Sequence, residues 1–340
     1  MVNINAGTIS DAVSVGRLVE KRGGHRVGVW DSPVGVPECW ATLGALSQHL
    51  TSIPVGVAVT NPRTRHPVVT ASALAGLAGA APGGVFLGIG TGDSGVYNLG
   101  QRAATLRDLR AYAVCVAELL RTGRSVWRGA DVHLARPPER RVPLYMAAHG
   151  RRSLELAAEI ADGVFLGLGH SEDVVREVRA VVAGAAERAG RDPGSLELWW
   201  NAAGLRIGPD SERAAQEAGW LAASLAHHFA RSGLAGKFVP AEYEDGVRKL
   251  GELYDLGQHG RQSPEKRRAY LEAAMELGVW DYLRERFLIT GTEDEVAGRL
   301  RVLRERGVHR LELGLAAGGT DGVLAALDLV RGINAERRQR

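Results

Sequence analysis

Residues 84–95 read GVFLGIGTGDSG, an apolar run that ends in a glycine-rich turn. Two folds produce such a stretch. The turn, Gly90 to Gly95, fits G-x-G-x-x-G directly after a strand, which is the entry to a dinucleotide-binding Rossmann unit. That unit needs a second strand carrying an acid about 20 residues downstream to hold a ribose. Downstream here lies one unbroken helical pattern instead, TLRDLRAYAVCVAELLRT at 105–122. That helix speaks against the Rossmann reading. A strand apolar on nearly every residue is buried on both faces, which means parallel pairing under a cover of helices.

Outward from that strand the pattern repeats. The runs VNINAG (2–7), HRVGVW (25–30), PVGVAV (54–59), GVFLGIG (84–90), VPLYMA (142–147), DGVFLGL (162–168), LELWWNAAGLRI (196–207) and HRLELGL (309–315) read as strands, and helical patterns separate them. Eight parallel strands with intervening helices predict an α/β fold, a TIM-like (β/α)8 barrel over 1–340 as a single domain. Several helices open on a Ser or Thr cap, and Thr292 with Glu295 has capping-box spacing. One segment, about 208–288, breaks the period between the seventh strand and its helix. A connection of that length is usually functional, and in a barrel it is expected to cover the end where the strands' carboxyl termini open.

Composition narrows the function classes. Hydrophobic residues at 45% and charged residues at 24% are globular values, and net charge is only +3 with the arginines scattered, a poor footprint for nucleic acid. The expected partner is a small molecule. Cys39 and Cys115 allow at most one bridge, and Cys115, within AYAVCVAELL, reads as a packed core thiol. The start MVNINAGTIS lacks a leader pattern and no run is apolar enough to span a bilayer, so a cytoplasmic protein without membrane partners is expected. No metal is expected, since the histidines lack ligand spacing, and His227 and His228 are adjacent on a helical pattern.

Three strand exits carry candidate chemistry. TNPRTRHP at 60–67 offers Thr60 and Asn61 for ligand hydrogen bonds and Arg63 and Arg65 for an anionic tail, or else a rigid loop whose arginines pair with surface acids. At 90–94, glycines let the backbone approach an anion or flat ring, and Thr91, Asp93 and Ser94 add side-chain hydrogen bonds; the alternative is a plain turn with a helix cap. AAHGRRSLELAAE at 147–159 sets His149, Gly150, Arg151 and Ser153 at a helix N-terminus, where free N–H groups and the dipole favour phosphate, or where Ser153 merely caps.

In order along the chain, VAVTNPRTRHP (57–67), LGIGTGDSGVYNLG (87–100), YMAAHGRRSLELAAEIADGVFLG (145–167) and LITGTEDEVAGRLRVLRERGVHRLELGL (288–315) resemble the luciferase-like oxidoreductase superfamily. Within it they are similar to the branch using the deazaflavin coenzyme F420, that of methylenetetrahydromethanopterin reductase and its bacterial relatives. The resemblance implies a tricyclic cofactor over the strand ends and a non-proline cis peptide at Ala58–Val59 behind its ring. It implies that Thr60 and Asn61 edge the ring, that Gly90, Thr91, Gly92 and Asp93 lie near its pyrimidine part and tail, and that His149, Gly150 and Ser153 hold the phosphate; Asp31, Ser32, Ala58, Val59 and Arg151 complete the expected cofactor-binding set. Many relatives dimerise, and exposed barrel helices allow a homodimer here. Two departures stand out. Ser32 follows Asp31 where the sugar-phosphate dehydrogenase relatives carry a histidine, and the first strand has Asn3 and Asn5 where the methylene reductases carry an acid.

The favoured expectation is an F420-dependent reductase passing hydride from the reduced deazaflavin to a C=N, C=C or C=O carbon. Asp93 leads as proton relay with Tyr97 and Tyr254 behind it, and Trp40, Trp200 and His259 are the candidate substrate contacts. The alternatives are a reduced-FMN monooxygenase on the same barrel and a non-catalytic cofactor-binding protein.

Overall fold

A computed structural model describes residues 1–258, 262–314 and 319–338. The chain divides into two compact units, one of Met1–Ala148, Glu155–Phe165 and Gly184–Glu197, the other of His149–Leu154, Leu166–Ala183 and Leu198–Arg340.

In the first unit the elements follow as β1 (Val2–Ile4), α1 (Ile9–Lys21), β2 (Val27–Val29), α2 (Cys39–His49), β3 (Val55–Thr60), α3 (Pro67–Ala80), β4 (Val85–Ile89), α4 (Ser94–Tyr97), α5 (Leu106–Thr122), β5 (Arg124–Trp127), β6 (Ala130–His133) and β7 (Leu144–Ala148). Then come α6 (Arg151–Ile160), β8 (Gly163–Leu166), α7 (Glu172–Arg188), β9 (Glu197–Asn201), β10 (Gly204–Ile207), α8 (Ser211–Ala218), α9 (Trp220–Arg231), α10 (Ala241–Leu253), α11 (Pro264–Glu276), α12 (Trp280–Phe287), β11 (Leu288–Gly291), α13 (Glu293–Glu305), β12 (Leu311–Gly314) and α14 (Gly319–Arg338). The eight runs read from the sequence are the staves of a closed parallel barrel, ordered β1-β12-β9-β8-β7-β4-β3-β2.

The barrel strands of the first unit are buried, as double-faced burial demands: every residue of β1, β2 and β4 lies inside. Their parallel register is Val2↔Val27, Val27↔Val55, Val55↔Val85 and Leu87↔Leu144. It slips between Val57 and Thr60, where the Ala58–Val59 peptide is cis. Leu43 and Leu46 of α2, Leu74 of α3 and Leu109, Val116 and Leu119 of α5 fill the layer outside the sheet. The helices start where side chains satisfy orphan N–H groups: Thr8 accepts from the Asp11 amide, Glu38 from Ala41 and Thr105 from Asp108. Each such cap is worth about 1 kcal/mol. Cys39 and Cys115 are both free and buried.

Two features depart from the sequence reading. LELWWNAAGLRI is two strands, not one. β9 pairs with β12 through Leu311↔Trp200 and Glu312↔Asn201; the Asn201 side-chain oxygen then accepts from the Ala203 amide at 3.1 Å and turns the chain. β10 beyond that turn pairs in parallel with β11, Gly204↔Leu288 to Ile207↔Gly291, as a separate ribbon. The second feature is the hairpin β5–β6, whose turn places Arg128 and Gly129 at φ 51° and 84°. A two-residue turn of type I′ needs positive φ at both central positions, and an arginine there gives no composition signal. Between β10 and β11, the described residues of the long segment form α8 to α12.

Candidate functional site

In the first unit β2, β3, β4 and β7 are consecutive parallel neighbours, so the residues that leave their carboxyl ends share one edge of that sheet. Asp31 leaves β2 and Thr60 ends β3. The fully buried Thr60 hydroxyl donates to Asp31 Oδ2 at 2.6 Å. Burial pushes the Asp31 carboxyl above its ordinary range, outweighing the hydrogen bonds from Thr60 and Cys39 that favour the charged form. The Cys39 thiol is in turn pushed up, first by burial and then by the Asp31 charge. Ser32 Oγ lies 3.1 Å from Ser94 Oγ, which links the exits of β2 and β4. A Cβ at Gly95 would run into the Asp31 carbonyl oxygen, so only glycine lets α4 approach β2 this closely. Asn3, where an acid was noted as missing, donates its side-chain amide to the Ala58 carbonyl at 2.8 Å.

The β4 exit is pinned on both sides. The Gly90 amide donates to the Thr60 carbonyl at 2.9 Å, and the Thr91 carbonyl accepts from Ala104 at 2.8 Å. Asp93 stands at the N-cap of α4 without a side-chain cap bond, and Asp93, Thr91, Gly92 and Tyr97 are all half-buried. A Cβ at Gly90 would meet only the methyls of Ala147 and Val59, each at 3.3 Å. Ala58, Val59, Gly90 and Ala147 are small, and their strand ends suit the face of a flat ring.

The polar exit of β3 resolves differently. The Asn61 side chain accepts from the amides of Arg63 at 2.9 Å and Thr64 at 3.1 Å, so it builds the turn. Arg65 pairs with Glu38 at 3.1 Å and lies over the Trp40 ring, 5.0 Å from its centroid; Arg63 lies 3.6 Å from Asp108.

The second unit holds the His149–Ser153 turn. The Ser153 hydroxyl donates to the Gly150 carbonyl at 2.8 Å and accepts from the His149 amide at 3.2 Å. The Arg151 amide donates to the Gly236 carbonyl at 2.9 Å, from the loop between α9 and α10. The His149 ring meets that of His228 edge-on, centroids 4.2 Å apart, and its Nε2 sits where a Cβ at Gly167 would be. Lys237 is buried, with its ammonium on the Phe229 carbonyl at 2.6 Å and Ser232 Oγ at 2.7 Å. Burial and the nearby Arg231 push it down to about 8. These donors are satisfied within the protein, and the exposed Arg151 guanidinium is the group of this turn that suits an anion.

The other expected residues are buried or lie outside the described residues. Tyr254 is 5% exposed; its hydroxyl accepts from Gln262 at 2.8 Å and its ring packs on His227 and Tyr270, so it belongs to the packing of the helices rather than to an open cleft. Trp200 is 1% exposed, a core side chain of β9 and not a pocket wall; Trp40 is buried on α2. His259 lies outside the described residues. No helix among the described residues is long and apolar enough to cross a membrane, and no group of three His, Cys, Asp or Glu there is arranged to hold a metal.

Comparison with known proteins agrees with this architecture. A 5,10-methylenetetrahydromethanopterin reductase of Methanolobus tindarius is 26% identical over 313 residues, 89% of each chain. The solved F420-dependent tetrahydromethanopterin reductase of Methanopyrus kandleri superposes with TM-score 0.73 at 20% identity, covering 97% of this chain and 96% of that one. A monooxygenase of Streptomyces bottropensis superposes with TM-score 0.66 at 18% identity, over 97% and 93% of the two chains. The family model described as luciferase-like monooxygenase matches residues 2–310, and the chain belongs to that family.

Proposed function

We propose that the protein is an F420-dependent reductase acting on a C=N, C=C or C=O bond of a small molecule. The observation that carries this reading is the buried Asp31 carboxyl, held by Thr60 at neighbouring strand ends beside the small-residue face of Ala58, Val59, Gly90 and Ala147. It combines a place for a flat ring with a carboxyl that keeps its proton above the usual range. The relative in Methanolobus, named a methylenetetrahydromethanopterin reductase and matched over most of both chains, supports the class.

Reduced F420, when bound, supplies the hydride. The chain's own residues then have three tasks. Thr60 and Ser32 orient the ring edge, with Thr60 Oγ1 fixed by its bond to Asp31. His149, Gly150, Arg151 and Ser153 would hold its phosphate, and Thr91, Gly92 and Asp93 would bind its ring or tail. Asp31 and Asp93 are the carboxyls able to give a proton to the reduced substrate; Asp31 joins Asp93 in that role because its burial favours the protonated form. Tyr97, half-buried at the end of α4, stands behind Asp93.

The second reading is a reduced-FMN monooxygenase, favoured by the likeness to the Streptomyces monooxygenase. Anaerobic and aerobic turnover with each reduced cofactor separates the two. Oxidation of reduced F420 by a substrate panel without oxygen uptake is expected, and oxygen uptake with reduced FMN alone would reverse the choice.

A further inference from the structure

Arg286 is 1% exposed at the end of α12, and none of its hydrogen-bond partners among the described residues is a carboxylate. Its Nε donates to the Leu168 carbonyl at 2.7 Å, Nη1 to the Phe238 carbonyl at 2.9 Å and to the Tyr282 hydroxyl, and Nη2 to the Lys237 carbonyl at 2.6 Å. The rings of Phe229, Phe287 and Tyr282 surround it, with centroids 5.0, 5.2 and 5.7 Å from Cζ. The backbone amide of His170 donates to the Arg286 carbonyl at 2.8 Å, so residue and loop are tied in both directions. A guanidinium stays charged when buried, and burying one without an acid is costly unless nearly every N–H is used. Here the fork is spent on the backbone of two loops.

Both loops touch the His149–Ser153 turn. The β8 exit, ending in the Leu168 carbonyl that Arg286 holds, contains Gly167, against which the His149 imidazole packs. The other loop, 232–238, carries the Gly236 carbonyl that accepts the Arg151 amide, one and two residues before the Lys237 and Phe238 carbonyls that Arg286 grips. Lys237 also anchors this loop to the last carbonyls of α9. A side chain in an unrelated helix therefore sets both walls of the turn.

We propose that Arg286 is a positioning residue for the loop that holds the cofactor's phosphate. It rests on the functional reading above. It acts through the carbonyls of Leu168, Lys237 and Phe238, and it touches neither ring nor substrate. Lysine cannot replace it, because one ammonium cannot present a planar fork to carbonyls on two loops.

The test uses the full chain with Arg286→Lys, Arg286→Ala and Tyr282→Phe, the last removing one acceptor without altering the buried charge. Hydrogen exchange of the free proteins is followed in segments 149–154, 166–170 and 234–238, and F420 is titrated into each. Faster exchange confined to those segments is expected in Arg286→Lys, with a dissociation constant raised by about tenfold or more, the scale of losing buried charge-assisted hydrogen bonds. Turnover at saturating F420 should stay within about twofold, the split expected of uniform binding loss. Added guanidinium ion should restore affinity in Arg286→Ala but not in the unaltered protein, and Tyr282→Phe should show a smaller change in the same direction. Unchanged exchange in the three segments, or a fall in turnover without a loss of affinity, overturns the proposal. If the unaltered chain takes up no F420, the cofactor reading falls and the exchange pattern alone decides the positioning role.

Discussion

Replacing Thr60 with valine keeps the shape of a fully buried side chain and removes one hydroxyl, the donor 2.6 Å from Asp31 Oδ2. What that hydroxyl contributes depends on the charge of Asp31. Against the ionised carboxylate the bond is charge-assisted, worth about 1.5–3 kcal/mol, while against the neutral acid it is an ordinary hydrogen bond of about 1 kcal/mol. The Asp31 carboxyl already lies above its ordinary value through burial, and the Thr60 bond pulls it back down. Its loss therefore moves the group further up. A carboxyl raised in the folded state costs stability once the pH exceeds its unfolded value, and that cost disappears as the pH falls and the buried group takes up its proton. Urea unfolding of Thr60→Val against the unaltered protein should accordingly show a loss of about 2 kcal/mol at pH 8 and about 1 kcal/mol at pH 4. Thr60→Ser, which keeps the hydroxyl, should show no such pH dependence of its loss. An equal loss at both pH values, or a larger one in acid, would refute the pairing of Thr60 with an ionisable, burial-shifted Asp31.

Other substitutions test other parts of the account. Gly95→Ala drives a methyl into the Asp31 carbonyl oxygen, which as backbone cannot rotate away; a loss of about 1–3 kcal/mol by thermal or urea unfolding is expected, and an unchanged midpoint would contradict the close approach. Ser153→Ala removes the bonds to Gly150 and His149 and should cost about 1 kcal/mol of stability while weakening F420 binding, read by the same unfolding and titration; tighter binding would exclude Ser153 from the phosphate loop. Asp31→Asn should abolish the pH dependence described for Thr60→Val, checked by repeating the two-pH comparison in that background. Asp93→Asn should lower turnover more than cofactor affinity, and a steady-state split in the opposite sense would remove Asp93 from the proton path.

How far the sequence reveals these relations follows from the distances along the chain over which each forms. The barrel strands could be read because burial on both faces leaves an unbroken apolar run, as in β3 and β4, whatever the partner strand is. β10 could be read only as the tail of the seventh run and β11 not at all, since LRI and LIT form their own ribbon by pairing with each other across an intervening helical segment. The exit loops were visible as clusters of glycine and short polar residues, yet the division of labour within them was not. Asn61 and Arg65 look alike as ligand groups in TNPRTRHP, but one closes a turn on Arg63 and Thr64 and the other meets Glu38. Asp31 carried no sign of its burial. Arg286 is the extreme case: its partners Leu168, Lys237 and Phe238 are main-chain oxygens, which any residue type provides, at separations of 118, 49 and 48 residues.

The most direct measurement of the central claim is a titration of the full-length protein with F420 and, separately, with FMN, followed by absorbance and fluorescence, with oxygen uptake recorded for each reduced form. The account predicts saturable F420 binding that Ser153→Ala weakens, and no oxygen uptake with reduced FMN. Saturable FMN binding with oxygen consumption, and no spectral change with F420, would contradict it.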